Sequence, residues 1–378
     1  MHDSQESPLA RELHAFLDRE VPRFHQRWSG REQTVAARID WQRTMAAGKW
    51  AAPAWAVENG GRGAGADDLL ALEEVNAQFG MPLLIGTMGI KNVGPTIAAW
   101  GTERQREHLP RIMMADEIWC QGFSEPEAGS DLASLRTRAV RDGDEFVVNG
   151  QKIWTSQGME ATHIELLVRT NPDEPRHRGI SVLLVDLSSP GIERRPIRQI
   201  DGNAEFAEVF FTDVRVPAEN LLGPLNEGWR VTRTTLGHER SGAAIFCARL
   251  EHQVGELIAR HTRAARREAL PAVLADDLVR RHVEARVLSL LSRRMINQLA
   301  AGEEPGATQS VIKLVFSEIR QRLAGTMFDL DDADGRAAAA PGELEVEYLT
   351  ARSATIAAGT SQIVRNILAE RVLQLPRD

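Results

Sequence analysis

Hydroxyl, aromatic and turn-forming residues concentrate in one stretch of this sequence, and their types suit the binding of a flat ligand. A run of small residues, hydroxyls and turn formers extends from Ser124 to Asp131. Gly122, Pro126 and Gly129 favour tight turns and close backbone approach, which leaves amide N–H groups free to point at a ligand. The stretch ends at Trp154-Thr155-Ser156, where an aromatic ring stands beside two hydroxyls. These residues suit a flat heteroaromatic cofactor, and they equally suit an ordinary surface loop above a β-meander.

Two turn-forming dipeptides follow the loop and predict how the chain is organised there. Asp142-Gly143 and Asn149-Gly150 are strong short-range signals for hairpin turns. Phe146 to Val148 lies between them and is apolar and β-branched, which predicts a strand. The sequence therefore predicts a hairpin that ends at the aromatic and hydroxyl residues 154–156.

The stretch resembles the flavin-binding signature of the acyl-CoA dehydrogenases in two pieces, Ser-Glu-Pro-Glu-Ala-Gly-Ser-Asp at 124–131 and Asn-Gly-Gln-Lys-Ile-Trp-Thr-Ser at 149–156. Similar pieces extend from Gly60-Gly61 to the last helix, and only Glu127 departs from the signature, at a position where glycine is commoner. The resemblance implies FAD as cofactor and α,β-dehydrogenation of an acyl-CoA thioester. In that reaction a carboxylate takes the α-proton while a hydride leaves the β carbon for flavin N5. Electrons then pass to an electron-transfer flavoprotein.

Length and composition exclude some classes of protein. A chain of 378 residues exceeds one compact core, and a net charge of -8 argues against a nucleic-acid partner. Cys120 and Cys247 are the only cysteines, which fits a reducing cytosol without a disulfide framework. No apolar run reaches the length of a membrane span, and residues 1–6 lack the features of a signal peptide. We therefore expect a cytoplasmic protein without membrane insertion.

The order of hydrophobic patterns predicts an α+β fold with three parts. Helical spacing dominates residues 1–117, strand-like spacing dominates 118–223, and helical spacing returns over 224–378. The middle part should be a small β-barrel or sandwich, with strands at Ile164–Val168, Ile180–Val185 and Val209–Val216. The same order, a helical N-terminal domain, a middle β domain and a C-terminal four-helix bundle, is what the resemblance implies.

Helix signals in the C-terminal part place its elements. Long helices are predicted over 229–263 and 275–300, and a third carries Val311, Leu314, Val315 and Ile319. Residues 331–342 are rich in Asp, Ala and Gly and predict a loop. Two last helices are predicted over 344–356 and 361–373. They are separated by Ala358-Gly359-Thr360, in which Gly359 permits a turn and Thr360 is a candidate N-cap.

The N-terminal part shows no convincing catalytic residue. Its glycine-rich loop, Pro53 to Gly65, lacks the lysine and the strand–turn–helix setting of a phosphate cradle, so we assign it to packing. The sequence shows no metal-ligand spacing, nucleophile elbow or P-loop, and no metal is expected.

The resemblance implies a set of contacts in which a loop and a strand end hold the flavin ring and the last helix faces the cofactor. In this sequence those positions are Phe123, Ser124, Trp154, Thr155, Ser156, Thr360 and Gln362. Phe123 and Ser124 would serve the pyrimidine edge, Trp154 would pack on the ring, and Ser156 would approach the N5/O4 edge. The positions implied for the acyl-CoA substrate are Ser130, Arg240 and Ala358.

The catalytic base poses the main problem of assignment. Many family members carry a glutamate directly before the Gly-Thr of the last helix junction, but Ala358 occupies that position here and cannot take a proton. Other members place the carboxylate on the long helix that opens the C-terminal domain, where Glu239 lies in this sequence. The alternative is that Glu239 is an exposed residue beside Arg240 on a solvated helix face. Ala358 still offers a backbone N–H to the thioester oxygen, and its small side chain favours a branched or ring-bearing acyl group.

The diphosphate end of the cofactor site departs from the family. The usual Arg-x-x-Phe-Gly is replaced by Arg266-Arg267-Glu268-Ala269-Leu270, and a Gly-Gly motif before the last helices is absent. These losses resemble an actinobacterial-type subgroup that forms α₂β₂ heterotetramers, in which a partner completes the FAD site. The resemblance thus implies a sister subunit. The alternative is that Arg266 or Arg267 contacts the diphosphate in a homo-oligomer.

Two other classes of function remain open on these residues. One is a non-catalytic partner subunit that supports an active paralogue, against which Glu239 argues. The other is a flavin oxidase or oxygenase on the same fold, because a fold does not determine its chemistry.

Overall fold

The computed structural model describes residues 7–174, 176–264, 270–300, 306–333 and 343–376. Within these ranges the side chains of residues 66, 238–246, 248, 263–264, 299–300, 331–333 and 343 are not described. The chain forms two compact units. The β unit comprises Ala15–Ala64 and Met81–Glu239, and the helical unit comprises Met1–His14, Gly65–Gly80 and Arg240–Asp378.

An eight-stranded sheet forms the centre of the β unit. Its strands are β1 Trp119–Gly122, β2 Arg138–Asp142, β3 Glu145–Ser156, β4 His163–Arg169, β5 Ile180–Asp186, β6 Ile192–Ile197, β7 Phe206–Pro217 and β8 Leu221–Leu222. The order is β6-β7-β3-β2-β4-β5-β8, and β1 pairs with β4 in parallel. Side chains that alternate along these strands form a buried core, which includes Phe146, Ile164, Leu183 and Val209.

Short helices complete the β unit. They are most of α1 Pro8–Trp28, then α2 Val35–Ala47, α4 Gly94–Trp100, α5 Glu103–Arg106, α6 His108–Met113 and the first part of α7 Gly228–Ala264. Thr102 forms a capping box with Gln105 at the start of α5. A short π-helical turn, Gly89–Val93, leads directly into α4.

Long amphipathic helices form the helical unit. They are α3 Ala66–Phe79, the rest of α7, α8 Ala272–Ala300, α9 Thr308–Ala333, α10 Glu343–Thr350 and α11 Ser361–Ile367. Leu250, Val254, Leu288, Ile312 and Leu323 pack in one core. Among the described residues, no helix has both the length and the apolar character needed to cross a membrane.

The predicted α+β architecture is confirmed, with the predicted strands found inside β4, β5 and β7.

The second predicted turn is wrong, because Asn149-Gly150 lies inside β3. A register shift between Val148 and Gly150 makes this point an irregularity of the sheet rather than a turn. Gly150 has φ +152°, and an added Cβ would lie 2.5 Å from Thr137 Oγ1. Asn149 exchanges two hydrogen bonds with Asp213, at 2.9 and 3.0 Å.

The predicted helices differ from the structure mainly at their ends. The predicted helix over 344–356 is α-helical only to Thr350 and continues as a 3₁₀ turn, Ala351–Thr355. The helix predicted over 361–373 changes from α11 to a π-helical turn, Leu368–Val372. Strand β6 was missed because its Ile-Glu-Arg-Arg-Pro-Ile sequence is largely exposed and charged.

A cluster around Glu117 closes the junction between α6 and β1. The buried Glu117 carboxylate accepts hydrogen bonds from Arg111 Nη1 at 3.2 Å and Trp119 Nε1 at 3.1 Å, and lies 2.7 Å from His108 Nδ1. His163 stacks on Trp119 with ring centroids 4.9 Å apart. His108, Glu117 and His163 bring ligand-type atoms within 4.8 Å of one another. Because donors already surround the carboxylate, we assign the group to structural hydrogen bonding.

Burial raises the pKa of Glu117, but the hydrogen bond from His108 and the nearby His163 outweigh it, so the pKa lies below its usual range. A carboxyl with a lowered pKa stabilises the fold above its unfolded pKa, and this stabilisation is lost as pH falls through the folded value. We expect Glu117→Gln to lower the unfolding free energy at pH 7 by about 1–3 kcal/mol. The difference from the native protein should shrink below about pH 4.5, measured by urea unfolding at several pH values.

A matched control is Glu145→Gln, which removes one partner of an exposed ion pair with Arg215 at 2.8 Å. Its effect should stay below about 1 kcal/mol at pH 7. A Glu117→Gln deficit that persists unchanged in acid would contradict the role of the carboxylate charge.

Candidate active site

The turn that follows β1 is closed by reciprocal backbone hydrogen bonds. Glu125 N donates to Ala128 O at 3.1 Å, and Ala128 N donates to Glu125 O at 3.0 Å. The Glu125 carboxylate is buried and accepts from the backbone N–H groups of Arg136 at 2.7 Å and Thr137 at 2.9 Å. Exposed Glu127 forms an ion pair with exposed Arg136 at 2.8 Å, so the departure from glycine is accommodated at the surface.

A buried lysine fastens this turn to β3. Lys152 Nζ lies 2.8 Å from Glu125 Oε1 and donates to Phe123 O at 3.0 Å, with the side chain fully buried. Ile153 N donates to Ser124 O at 2.9 Å. Burial lowers the pKa of Lys152 to about 8, although the Glu125 carboxylate opposes that shift. For Glu125, burial raises the pKa, but Lys152 and the two backbone donors outweigh it and hold the pKa below its usual range.

A β-bulge presents the Trp154 ring at the surface. β3 pairs Lys152 with Val209 and Thr155 with Ala207, so two residues of β3 oppose one of β7. Trp154 has φ +61°, which is rare for a bulky residue, and its side chain is 56% exposed. Phe206 supports the ring edge-on at a centroid distance of 6.2 Å. Strained backbone of this kind concentrates at functional sites, and here it holds an exposed aromatic face beside the turn.

The hydroxyl residues of the signature separate into exposed and buried positions. Ser124 and Ser156 are half-buried, and Ser130 is exposed. Thr155 is 1% exposed, and its Oγ1 has no hydrogen-bond partner among the described residues. The structure thus leaves Ser124, Ser130 and Ser156 accessible to a ligand, whereas Thr155 faces the interior of the β unit.

In the helical unit, the turn before α11 has two successive residues with positive φ. Ala358 has φ +54° and Gly359 has φ +93°. Buried Lys313, on α9, donates to Gly359 O and to Ala354 O, the latter at 3.4 Å. The lysine therefore fixes the turn, and Ala358 is exposed on it.

The first residues of α11 carry one cap, one buried hydroxyl and one exposed amide. Thr360 is the N-cap, as predicted, and its side chain accepts from Ile363 N at 3.1 Å. Ser361 is 4% exposed, and its Oγ has no hydrogen-bond partner among the described residues. Gln362 is exposed and accessible to a ligand.

Other predicted site residues lie outside the described part of the chain. Position 239 belongs to the continuous helix α7, but the side chains of Glu239 and Arg240 are not described. Arg266, Arg267 and residues 334–342 of the loop predicted over 331–342 also lie outside the described residues. The prediction is wrong for residues 331–333, which belong to helix α9. These assignments stay predictions.

Three family models match consecutive parts of this chain. Their descriptions are acyl-CoA dehydrogenase N-terminal domain over residues 3–116, middle domain over 120–214, and C-terminal domain over 226–373. The acyl-CoA dehydrogenase IpdE1 of Mycobacterium tuberculosis is 40% identical over 362 residues, covering 92% of this chain and 91% of IpdE1. This chain belongs to the acyl-CoA dehydrogenase family. Members of the family are FAD-dependent flavoprotein oxidoreductases of lipid metabolism, and the expected cofactor follows from this membership.

Other comparisons agree with the assignment. FadE34 of Mycobacterium tuberculosis, also an acyl-CoA dehydrogenase, is 40% identical over 329 residues, and the chain spans 45% of its length. The solved structure described as the Tcur3481-Tcur3483 steroid ACAD has a TM-score of 0.88 and 30% identity, with 100% of this chain and 99% of that chain covered. The ChsE4-ChsE5 complex from Mycobacterium tuberculosis has a TM-score of 0.81 and 31% identity, with the same coverage.

The acyl-CoA dehydrogenase site fits a flavin at the surface of the β unit. The exposed Trp154 ring suits stacking on a flat heteroaromatic system, and Ser124 and Ser156 offer accessible hydroxyls near it. Sequence reasoning missed Lys152 and Glu125, although both lie inside the quoted signature. One signal in the sequence could have revealed this pair. Lys152 lies on a strand whose residues alternate between buried and half-exposed positions, and a lysine at a buried position requires an acidic partner.

We expect Lys152→Met to destabilise the β unit by about 3–5 kcal/mol, because it leaves the Glu125 carboxylate buried without its cation. The same change frees the Phe123 carbonyl and should lower flavin retention. Thermal unfolding and the flavin-to-protein absorbance ratio of the purified protein measure the two effects.

The double variant Lys152→Met with Glu125→Gln should recover part of the stability, since it removes both buried charges. Glu127→Gln is the matched control, because it removes only the exposed ion pair with Arg136. Native stability and flavin content in Lys152→Met would show that the buried pair does not hold the loop.

Proposed function

We propose that this chain catalyses FAD-dependent α,β-dehydrogenation of an acyl-CoA thioester. The observation that carries the proposal is the bulge that exposes Trp154 beside a turn fastened by Lys152. Membership in the family supports the reaction class, and the accessible Ser124, Ser130 and Ser156 support binding of cofactor and substrate at this turn.

In the proposed mechanism, Glu239 takes the α-proton of the bound thioester. Ala358 occupies the position of the common base and has no carboxylate, and the resemblance to other family members places the alternative base at Glu239 on α7. The backbone N–H of Ala358 would polarise the thioester oxygen, which makes the α-proton more acidic. Exposed Ala358, held on a turn fixed by Lys313, suits this role.

When bound, FAD would supply the two-electron acceptor for the β-hydride, and an electron-transfer flavoprotein would be the next acceptor. On the protein side, Trp154 would pack on the ring, while Phe123, Ser124 and Ser156 would hold its edge. Thr360 and Gln362 would face the cofactor from the start of α11. Thr155 is the weakest member of the proposed set, because its side chain is buried.

We propose a branched or ring-bearing acyl group as the substrate class. The small side chain at Ala358 leaves more room beside the α carbon than a glutamate would. The likeness to a solved structure described as a steroid ACAD supports the same class. Anaerobic flavin bleaching with a linear acyl-CoA and with a ring-bearing acyl-CoA of equal carbon number tests it, with faster bleaching by the ring-bearing compound expected.

We propose that the partner in the assembly is a sister acyl-CoA dehydrogenase-like subunit. Helix α8 buries one face in the helical core through Ala285 and Leu288, yet Val279, Val283, Val287 and Leu290 form an exposed apolar stripe at helical spacing, each 52–60% exposed. A helix that is apolar on two opposite faces is expected to pack against other protein on both faces. The two-protein ChsE4-ChsE5 complex supports a subunit partner as the cover.

We expect Glu239→Gln to slow flavin reduction by acyl-CoA about 10²–10⁴-fold, the contribution of a general base. The flavin content should stay native, because the change preserves the size of the side chain. Anaerobic stopped-flow bleaching of the flavin is the measurement.

Glu256→Gln is the control for this prediction, since Glu256 lies on α7 with an exposed side chain. Near-native flavin reduction in Glu239→Gln would remove that residue from the role of base. Slow bleaching in the native protein with every acyl-CoA would instead favour a non-catalytic partner subunit, and rapid reoxidation by oxygen would favour an oxidase or oxygenase.

We expect Val283→Lys to prevent co-purification with a co-expressed homologous subunit, because a charge on the stripe cannot be buried without a partner. The FAD content of the preparation should fall with it. Val140→Lys is the matched control, because Val140 is 56% exposed and lies on β2 of the β unit. Light scattering and flavin absorbance measure both effects, and stoichiometric FAD with full turnover in the chain purified alone would show that no sister subunit is required.

A further inference from the structure

A buried polar network joins the strand before the flavin turn to helix α7. Glu165, on β4, is fully buried, and its two carboxylate oxygens accept from different elements. Gln121 Nε2, on β1, donates to Oε2 at 3.0 Å, and Thr235 Oγ1, on α7, donates to Oε1 at 2.9 Å. One carboxylate therefore bridges β1 and α7 within the β unit.

The strand register explains why these side chains meet. Gln121 and Glu165 are direct partners in the parallel β1–β4 pair, so they lie on one face of the sheet. Their neighbours Cys120 and Ile164 point to the opposite face and join the β core. Glu165 is buried and Gln121 is half-buried, and a polar pair of this kind adds little to an apolar core but can order the elements that it joins.

Two further residues extend the network into α4 and its preceding turn. Thr96 Oγ1 lies 3.0 Å from Thr235 Oγ1 and donates to Asn92 O at 2.8 Å. Asn92 Nδ2 donates to Gln121 Oε1 at 3.3 Å, which completes a ring of contacts around Glu165. Gln121 accepts from Asn92 through its oxygen and donates to Glu165 through its nitrogen, whereas either hydroxyl of the Thr96–Thr235 contact can be the donor.

Both ends of the bridge lie next to the proposed chemistry. Gln121 is two residues before Phe123, in the turn that Lys152 fastens. Thr235 is four residues before position 239 on α7, a distance of about one helical turn. The bridge thus connects the flavin turn to the helix position of the proposed base.

We propose that Glu165 is a positioning residue that sets the placement of the proposed base on α7 relative to the flavin turn, through Thr235 and Gln121. The inference rests on the proposed function. Proton abstraction depends steeply on placement, so a small shift of α7 lowers the rate without removing any reacting group. Glu165 itself touches neither substrate nor cofactor in this role.

The sharpest test uses Thr235, where one methyl-for-hydroxyl exchange removes the bond to Glu165 at nearly constant volume. Thr235→Val should lower the limiting rate of flavin reduction at saturating acyl-CoA by about 10–100-fold. This is the loss of rate expected when a catalytic group is displaced by roughly 1 Å. Thr235→Ser keeps the hydroxyl and should retain most of the rate. Flavin content and acyl-CoA affinity should stay near native in both variants.

Glu165→Gln tests the other half of the bridge. In Glu165→Gln an amide nitrogen replaces one carboxylate oxygen, so the side chain no longer offers a separate acceptor oxygen to both Gln121 Nε2 and Thr235 Oγ1. The isotope effect with α-deuterated acyl-CoA should rise in Glu165→Gln and Thr235→Val, because transfer of the α-proton becomes more rate-limiting. A merely structural role would not raise it.

Val216→Ala is the stability control, because Val216 belongs to the β core on β7, a strand that pairs with neither β1 nor β4. It should lower the melting temperature without changing the isotope effect. If Glu239→Gln abolishes flavin reduction while Thr235→Val and Glu165→Gln keep the native rate and isotope effect, the positioning role is wrong and the proposed function stands. If Glu239→Gln reduces its flavin at the native rate, the proposed base is wrong and the positioning role falls with it.

Discussion

A buried ion pair between Lys152 and Glu125 holds the turn of the candidate site in one conformation. Charges cost free energy when they leave water, so such a pair persists only where both members are fully hydrogen-bonded. Glu125 receives two backbone N–H groups in addition to the lysine, and Lys152 also reaches the carbonyl of Phe123. Any other path of the turn would leave a buried charge without partners. The exposed Trp154 face and the neighbouring hydroxyls depend on this arrangement.

Local signals explain how much of the fold the sequence predicts. Thr360 is predicted as an N-cap from its own residue type and the helical pattern after it, and the cap is present. Apolar runs rich in β-branched residues predict the strands β4, β5 and β7. In each case the deciding information lies within a few neighbouring residues, where propensity and periodicity act.

Features that depend on distant partners could not be predicted in the same way. Asn149-Gly150 looks like a turn, but pairing with β7 continues β3 through it and converts the glycine into an irregular point of the sheet. The register with β7 also creates the bulge at Trp154. Lys152 and Glu125 are 27 residues apart, and Lys313 and Gly359 are 46 apart. These contacts form only when separate elements pack together. In the sequence, the only indication of them is an isolated lysine, Lys152 or Lys313.

The absence of a carboxylate at position 358 changes which parts of the structure must be rigid. A base on the turn before α11 would need only that turn to be fixed, and Lys313 already fixes it. A base on α7 makes the helix itself part of the geometry, because the carboxylate moves with every shift of its axis. Under the proposed positioning role, the Glu165 bridge between α7 and β1 would limit such shifts. This role would explain why a buried carboxylate, that of Glu165, lies on β4. An apolar residue at the same position would fill the space but would form no hydrogen bonds between α7 and β1.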